Sequence, residues 1–493
     1  MRTKELLKFC LEKGLLLDKD LLNLFGELTD VETSKEIIEK IGKQTKQRVI
    51  TKKIFSENRE QVNQIFLGLP KENQNLVESL KIKLGLSIEI SKEVSLPVKA
   101  EQEEQIIEDI KILSSPIIKA GKKIEVKDFV THLRNRFSEM KKILQESTQL
   151  SNLISIDKLY GNKQGISLIG IVLSKRLTKN GNLLFEIEDL TGKIIVLVNK
   201  SKPELFEKAD SIALDSVIGI KCSGNREVVY VNDILFPEAI LFERKKSPIE
   251  EYALFTGDLH IGSKKFLEEN FLKFVDYLNG NVPNTPEVNK IKYLFLVGDI
   301  ITGVGNYPFQ EKDLALSDLE LQFEKAADLL SKIRKDIKII LSPGNHDGVR
   351  LMEHQPPLDE KYAWPIYNLK NVTITTNPSL VNIGAKKNFS GFDILTYHGF
   401  SYPYYANNVW YLMKEKAMNN PEKIMAYLLK NRHLAPTHAS IQYAPSIEDA
   451  HLIRKIPDIL VSGHVHKSAV SYFNNILTIS SSCWESMTPY QEK

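Results

Sequence analysis

The sequence predicts a multi-domain protein in which a helical module and a small β-barrel precede a large α/β domain. Its 493 residues are enough for about three domains. Between residues 165 and 238, short apolar runs rich in β-branched residues are separated by turn residues, which is typical of a barrel. After residue 250, apolar strands alternate with helical segments and end in polar loops that contain glycine, as in α/β sheets.

The first element is a helical N-terminal module, expected over residues 1–70. Leu6, Phe9 and Cys10 lie on one apolar stripe, and Thr33 and Glu36 have the spacing of a capping box. A module of this kind binds a partner or only packs. Residues 71–122, rich in Glu, Lys, Gln and Ser, predict a partly disordered linker.

The next expected domain, residues 123–245, combines one helix with a barrel. In KDFVTHLRNRFSEMKKILQE, apolar residues recur at three- and four-residue spacing, which predicts the helix. Five strands follow, with the helical segment PELFEKA after the third, and Asn180-Gly181 marks a tight hairpin turn. This order is that of an OB-fold, which often binds nucleic acid or another subunit. The alternative is a β-barrel that only packs.

The last expected domain, residues 246–493, carries the chemistry. Five of its apolar strands end in metal-type ligands, namely Asp258 and His260 in FTGDLH, Asp299 in LVGD, Asn345, His346 and Asp347 in PGNHD, His398 in TYHG, and His464 and His466 in SGHVH. Carboxylate, amide and imidazole ligands suit Mn²⁺, Fe or Zn²⁺. Two such ions can stabilise both the attacking and the leaving oxygen at phosphorus, so the pattern predicts a two-metal phosphoesterase. The competing interpretation is a degenerate phosphoesterase fold kept as a scaffold.

These motifs, in this order, resemble those of the calcineurin-like metallophosphoesterases. The resemblance implies that Asp299 bridges two divalent metal ions, that His346 is the catalytic residue, and that no covalent enzyme intermediate forms. It assigns the remaining ligands to two metals: Asp258, His260 and His466 to the first, and Asn345, His398 and His464 to the second. Mn²⁺ is the first candidate metal, with Fe, Zn²⁺ or Mg²⁺ as alternatives. Thr302 stands where many relatives have the aspartate that orients the catalytic histidine, and a hydroxyl cannot stabilise an imidazolium as a carboxylate does.

A barrel of this type before a calcineurin-like domain with intact ligands resembles the small subunits of archaeal family D DNA polymerases. The stretches GVGNYP, HQPPLDEKYAWPIYNLKNV and LLKNRHLAPTH support the likeness, which extends over about residues 123–493. It implies a 3′–5′ exonuclease that proofreads DNA 3′ ends beside a large catalytic subunit, with a sliding clamp or other replication factors as further partners. Relatives usually continue beyond the final TPYQEK, so a shortened form is expected. A stand-alone nuclease or phosphoesterase and a non-catalytic scaffold are the alternatives.

Three tyrosines after the fourth motif, Tyr402, Tyr404 and Tyr405, are candidates for stacking on an unpaired base, and packing in the core is an equal alternative. The histidines outside the motifs are expected to be surface or core residues: His132, His354, His433, His438 and His451.

Charge and composition limit the class of protein. The net charge is only +3, and the part after residue 250 has 25 basic and 26 acidic residues, so no domain is basic and the isolated chain is expected to bind DNA weakly. No apolar run reaches the ~20 residues of a membrane span, and the N-terminus lacks a signal-peptide core. With three scattered cysteines, these features predict a cytoplasmic protein without a membrane partner.

Overall fold

The structure, a computed structural model, describes residues 2–18, 21–22, 25, 31–45, 49–50, 109–116 and 123–487. The chain divides into two compact units, Met1–Glu104 and Gln105–Lys493. The first unit contains helix α1 (Arg2–Glu12) and helix α2 (Val31–Thr45), together with the short parallel strands β1 (Leu16–Leu17) and β2 (Val49–Ile50). Helix α2 begins two residues before Thr33, so the spacing of Thr33 and Glu36 does not mark its start. The 1–70 module stays a prediction, since residues 51–70 lie outside the described part.

The second unit begins with a strand inside the predicted linker. Strand β3 (Ile110–Ser114) pairs antiparallel with strand β13 (Ser379–Ile383), and Ile110 lies opposite Ile383. The predicted linker, residues 71–122, thus contains an ordered strand that the sequence did not indicate. Its partner strand is about 270 residues away in sequence, and a mostly exposed edge strand shows no strong alternation of apolar and polar residues. The rest of residues 71–122 lies outside the described part.

Helix α3 (Val126–Gln145) leads into the barrel. Glu125 and Asp128 form a capping box at its first turn, and Phe137, Met140 and Leu144 are buried against the outside of the barrel. The barrel consists of five strands and one helix: β4 (Lys163–Leu177), β5 (Leu183–Glu188), β6 (Lys193–Val198), α4 (Pro203–Asp210), β7 (Val217–Gly224) and β8 (Val228–Leu235). The sheet closes in the order β4-β5-β6-β8-β7. The five strands and the position of the helix were predicted from sequence, and the assignment to the OB-fold stays a prediction.

Two sheets form the centre of the remaining domain. A parallel four-stranded sheet has the order β12-β11-β10-β9, from β9 (Tyr252–Thr256), β10 (Ile291–Val297), β11 (Lys338–Ser342) and β12 (Val372–Ile374). A mixed six-stranded sheet has the order β16-β17-β15-β14-β13-β3, from the two strands above and β14 (Phe392–Thr396), β15 (Ile459–Ser462), β16 (Ala469–Phe473) and β17 (Ile476–Ser480). Phe295 and Val297 of the first sheet pack with Val381 and Val461 of the second, so the sheets meet face to face.

Helices cover the outer face of each sheet. Helices α5 (Glu268–Leu278), α6 (Leu319–Ser331) and α7 (Glu360–Tyr367) pack on the four-stranded sheet, and α8 (Tyr402–Asn408), α9 (Trp410–Lys414) and α10 (Pro421–Asn431) pack on the six-stranded sheet. Because β9, β10 and β11 are parallel, as are β14 and β15, the loops that follow each group lie together at one edge of its sheet.

Candidate metal centre

The motif residues follow these strand ends in the left-handed backbone conformation. Asp258, His260, Asp299, His464 and His466 have φ angles between 50° and 71°. A residue with a side chain pays about 1–2 kcal/mol for this conformation. Gly257 and Gly298 precede two of these turns, and a Cβ at Gly298 would lie 2.1 Å from Nδ1 of His398. The sharp turns thus direct side chains from separate strands toward one point.

The first group of ligand atoms comes from Asp258, His260 and His466. The two Nε2 atoms of His260 and His466 are 3.1 Å apart, and Nε2 of His466 is 3.5 Å from Oδ1 of Asp258. All three side chains are buried or nearly so. This is the set assigned from sequence to the first metal.

The second group comes from Asp299, His398 and His464. Nε2 of His398 is 3.2 Å from Oδ2 of Asp299 and 3.1 Å from Oδ1 of Asn345, so Asn345 belongs to the same group. Oδ2 of Asp299 also lies 3.8 Å from Nε2 of His260 in the first group. Asp299 therefore stands between the two groups, within 4 Å of one histidine of each.

The donor set fits divalent cations. Ligand atoms of one ion bound at about 2.0–2.2 Å lie about 2.8–3.6 Å apart in octahedral or tetrahedral arrangements, close to the separations found here. A divalent cation would take the place of the hydrogen that lies between the Nε2 atoms of His260 and His466. The burial of the site and its mixture of oxygen and nitrogen ligands point in the same direction.

The pKa values show how the bare site balances its charge. Burial lowers the pKa of His464 to about 3 and that of His260 well below its ordinary value, so both imidazoles are neutral. Burial also opposes a charge on His398 and His466, but Asp299 raises the pKa of His398 to about 10, and Asp258 and Cys483 raise that of His466 to about 11. Without a metal ion, protons on these two histidines offset the carboxylates. A divalent cation would replace those protons.

His346 lies beside these groups with one nitrogen fixed. Its Nδ1 is 2.8 Å from the carbonyl oxygen of Thr302, and its ring lies edge-on to His260 at 4.9 Å between centroids. The amide Nδ2 of Asn306 donates to the same carbonyl at 3.0 Å and lies 3.1 Å from the histidine Nδ1. An unprotonated Nδ1 would face the carbonyl lone pairs, so Nδ1 carries the proton and donates it to Thr302.

The contact between Thr302 and His346 differs from the sequence expectation in one respect. Thr302 orients His346 through its main-chain carbonyl, and its hydroxyl does not take part. Sequence reasoning missed Asn306, because a lone Asn in the GVGNYP loop carries no recognisable signal. It also left Asp347 without a role. The buried Asp347 carboxylate accepts hydrogen bonds from the main chain of Ile301 at 3.0 Å and Gly344 at 2.7 Å, which joins the loops that hold Asp299 and Asn345.

The tyrosines proposed for base stacking lie in helix α8. Tyr402 and Tyr405 are fully buried in the core with Tyr397 and Tyr427, and the Tyr405 hydroxyl bonds to Ser440. Stacking on a base was wrong for these two, because the amphipathic helix places them against the sheet. Tyr404 is only partly buried, and its ring lies edge-on to Tyr405. The packing alternative describes this segment.

The histidines outside the motifs include a buried polar cluster. Asp449 contacts the histidines His132 and His433 as well as the Arg136 guanidinium, and His451 bonds to Glu353 at 2.8 Å. His354 is also buried, whereas His438 is exposed. The surface and core assignments are confirmed for these residues. The cluster fixes helix α3, through Arg136, to the segment between α10 and β15.

A cavity of about 620 Å³ opens beside the metal ligands. Its wall includes His260, Asp299, His346, His464 and His466, and residues from three further segments: Ser263, Lys265, Thr302, Tyr307, Asp313 and Glu485. The site is therefore accessible to a substrate larger than water.

The fold and the site define a calcineurin-like phosphoesterase domain, and the family model of that description matches residues 253–468. The match implies binding of divalent metal. Three curated proteins, each called DNA polymerase II small subunit, are similar over most of the chain. The one from Methanothermobacter thermautotrophicus is 35% identical over 78% of this chain and 78% of its own length. The one from Pyrococcus furiosus is 35% identical over 80% of this chain and 65% of its own length. The one from Archaeoglobus fulgidus is 33% identical over 79% of this chain and 78% of its own length.

The chain belongs to the family of DNA polymerase II small subunits, which confirms the resemblance to polymerase small subunits. A solved structure of TiaS in complex with a tRNA and ATP aligns with a TM-score of 0.15 and 16% identity over 20% of this chain and 25% of its own, too little to inform the fold. Within the described residues, no helix is both long and apolar enough to cross a membrane.

Proposed function

We propose that this chain is the metal-dependent 3′–5′ exonuclease of a heteromeric DNA polymerase and removes mispaired nucleotides from primer ends. One observation supports this most strongly: in a member of a polymerase small-subunit family, two groups of buried ligands meet at Asp299 beside an open cavity. The partner would be a large polymerase subunit, and the substrate a DNA 3′ end. A sliding clamp or another replication factor would be a further partner.

The residues that would hold the metals are those of the two groups. Asp258, His260 and His466 would take one ion, Asn345, His398 and His464 the other, and Asp299 both. Bound divalent cations polarise a phosphoryl oxygen and lower the pKa of water, which is the chemistry that hydrolysis of a phosphodiester requires. Mn²⁺ is the first candidate, and Fe, Zn²⁺ or Mg²⁺ are alternatives.

His346 would act on the leaving group. Since Nδ1 donates to the Thr302 carbonyl, Nε2 is the nitrogen free to exchange a proton, and it makes no hydrogen bond within the described residues. Protonated, Nε2 would donate to the 3′-oxygen of the penultimate nucleotide as the P–O bond breaks. A main-chain carbonyl fixes the orientation of the ring but carries no full negative charge, so it stabilises the imidazolium less than an aspartate would.

Two further assignments are part of this proposal. The five-stranded barrel would be an OB-fold that contacts the large subunit or the DNA, and the phosphoesterase domain would comprise residues 246–493 together with strand β3. Residues 1–70 would form a separate helical module that binds a partner.

The experiment measures Mn²⁺-dependent removal of nucleotides from single-stranded and mispaired 3′ ends by the full chain co-purified with its large subunit. We expect His346→Ala to lower the rate by about 10²–10⁴ while Mn²⁺ affinity stays within a few-fold. His438→Ala, at an exposed histidine that belongs to neither the ligand groups nor the cavity lining, is the matched control. No hydrolysis by the wild-type complex would leave the chain a non-catalytic scaffold. Full activity without a stable large partner would favour the stand-alone nuclease.

A further inference from the structure

The wall of the cavity that also contains the candidate metal ligands includes an exposed aromatic ring. Tyr307 lines the cavity and is 43% exposed, and no other aromatic ring packs against it within the described residues. Its hydroxyl donates to the Asp313 carboxylate at 2.9 Å, which fixes the ring in one orientation. A fixed ring with uncovered faces in a cavity of this size is suited to stacking on a planar group.

Two buried glutamine side chains hold the loop that carries Tyr307 in place through hydrogen bonds to its main chain. The side chain of Gln310 is buried, donates to the carbonyl oxygens of Thr302 and Gly303, and accepts from the main chain of Asn306 at 2.8 Å. Gln322, also fully buried, accepts from the main chain of Gly303 at 2.8 Å and donates to that of Leu316 at 2.8 Å. Two glutamines therefore satisfy the main chain of this loop, so the ring is in place before a ligand binds.

The charges on this wall select the part of a nucleotide that can lie there. Asp313 and Glu485 both line the cavity near Tyr307, and after burial their negative charges are among the causes that raise the Tyr307 pKa to about 12. Two carboxylates repel a phosphate but accept hydrogen bonds from amino or hydroxyl groups. Lys265, the one lysine among the described residues of the lining, lies beside Glu485, because its main-chain carbonyl accepts a hydrogen bond from Ser486. Its Nζ donates to the carbonyl oxygen of Met487 at 3.2 Å. The two carboxylates therefore outnumber the lysine on this wall. The Tyr307 wall thus suits an uncharged base and sugar, and the backbone would lie toward the metal ligands.

We propose that Tyr307 is the stacking surface for the 3′-terminal base of a single-stranded or frayed DNA end. This inference rests on the proposed exonuclease function and adds the residue that holds the end. Tyr307 takes the role that sequence reasoning assigned to the tyrosines of helix α8. Because every base has a π face, the contact would tolerate any base and would require that the end be unpaired.

The experiment compares two oligonucleotides that differ only at the 3′-terminal residue, one with a base and one abasic. Tyr307→Ala is expected to lower kcat/KM for the base-bearing end by roughly 5- to 150-fold, the range of one base–aromatic stack, and to leave the abasic end within threefold of wild type. Tyr307→Phe keeps the ring but loses the hydrogen bond to Asp313, so it should lower kcat/KM for the base-bearing end less than Tyr307→Ala does and leave the abasic end within threefold. Tyr252→Ala is the matched control, because Tyr252 is 38% exposed and its hydroxyl bonds to Glu250 at 2.7 Å, but it does not line the cavity.

A binding measurement separates this inference from the proposed function. The same ends with a non-hydrolysable phosphonate as the last linkage are titrated against the full complex, and Tyr307→Ala should raise Kd by the same factor for the base-bearing end alone. If wild type hydrolyses neither end, the exonuclease proposal fails, and the Kd values still decide the role of Tyr307. Equal effects of Tyr307→Ala on both ends, no effect on either, or a Tyr307→Phe defect as large as that of Tyr307→Ala would overturn the stacking role.

Discussion

Gly298, directly before Asp299, offers a sharp test of how the main chain positions the ligands. Its φ angle is +78°, and a Cβ would lie 2.1 Å from Nδ1 of His398, about 1.3 Å short of the 3.4 Å at which ordinary contact begins. In Gly298→Ala, either His398 or the end of strand β10 must move by about that distance. His398 would then lose its placement 3.2 Å from Asp299 and 3.1 Å from Asn345.

The control is Gly280→Ala, at the end of helix α5. Its φ angle is +77°, and a Cβ there meets nothing within 4 Å. Gly280→Ala should therefore lose only about 1–2 kcal/mol of folding free energy, the cost of a positive φ angle, a loss that Gly298→Ala shares. We expect Gly298→Ala to weaken Mn²⁺ binding at least 10- to 100-fold, as displaced ligands do, and to lower hydrolysis about 10²-fold or more. Gly280→Ala should retain both Mn²⁺ binding and hydrolysis.

Isothermal titration with Mn²⁺ and a thermal melt on each full-length variant measure these effects. The melts show that both variants fold and how far the shared backbone cost lowers Tm. If Gly298→Ala bound Mn²⁺ within threefold of Gly280→Ala, the close approach of Gly298 to His398 would not position the ligand.

Three further predictions concern stability and the loop. Arg136→Met leaves the buried Asp449 carboxylate without the guanidinium that lies 2.5 Å away, and should lower the free energy of unfolding in urea by about 3–5 kcal/mol. Adding Asp449→Asn should restore part of this free energy. A loss under about 1 kcal/mol in Arg136→Met would contradict the pairing. Gln322→Leu removes hydrogen bonds from the loop around Tyr307 and should speed amide exchange in residues 302–316 while the sheets stay protected. Burial lowers the pKa of both His354 and His433 to about 3, below the ~6.5 of an unfolded chain, so the unfolded state takes up protons first. The contribution of these histidines to stability is therefore full above pH 6.5 and is lost as the pH falls toward 3. Each histidine accounts for at most about 1.4 kcal/mol of unfolding free energy per pH unit. The urea midpoint should fall between pH 7 and pH 5, and it should fall less for His433→Asn than for wild type.

The candidate metal ligands could be located from the amino-acid sequence because local sequence carries them. Each lies within a few residues of an apolar strand, and parallel strands bring their following loops to one edge, so Asp258, Asp299 and His398 could be placed from the amino-acid sequence alone. The barrel strands were predictable for the same reason, since alternation and turn residues are local signals.

Other features depend on contacts between distant segments and could not be predicted in this way. Strand β3 forms only because β13 is available, about 270 residues later. The role of Tyr405 depends on which face of a short helix meets the sheet. The sequence predicted a contact between His346 and the hydroxyl of Thr302, whereas the main-chain carbonyl of Thr302 is the group that contacts His346. Gln310 and Gln322 look like surface residues in sequence and are buried.

Strand β3 also changes how the barrel is attached. The chain contributes β3 to the six-stranded sheet, then forms helix α3 and the barrel, and returns to the four-stranded sheet with β9. The barrel is thus an insertion joined to the two sheets by two connections. A force on the barrel, such as the pull of a bound partner, would act on the chain at both β3 and β9, and contacts such as Arg136–Asp449 and Thr437–Leu214 would bear part of it. The barrel is therefore attached to the sheets through the chain on both of its sides.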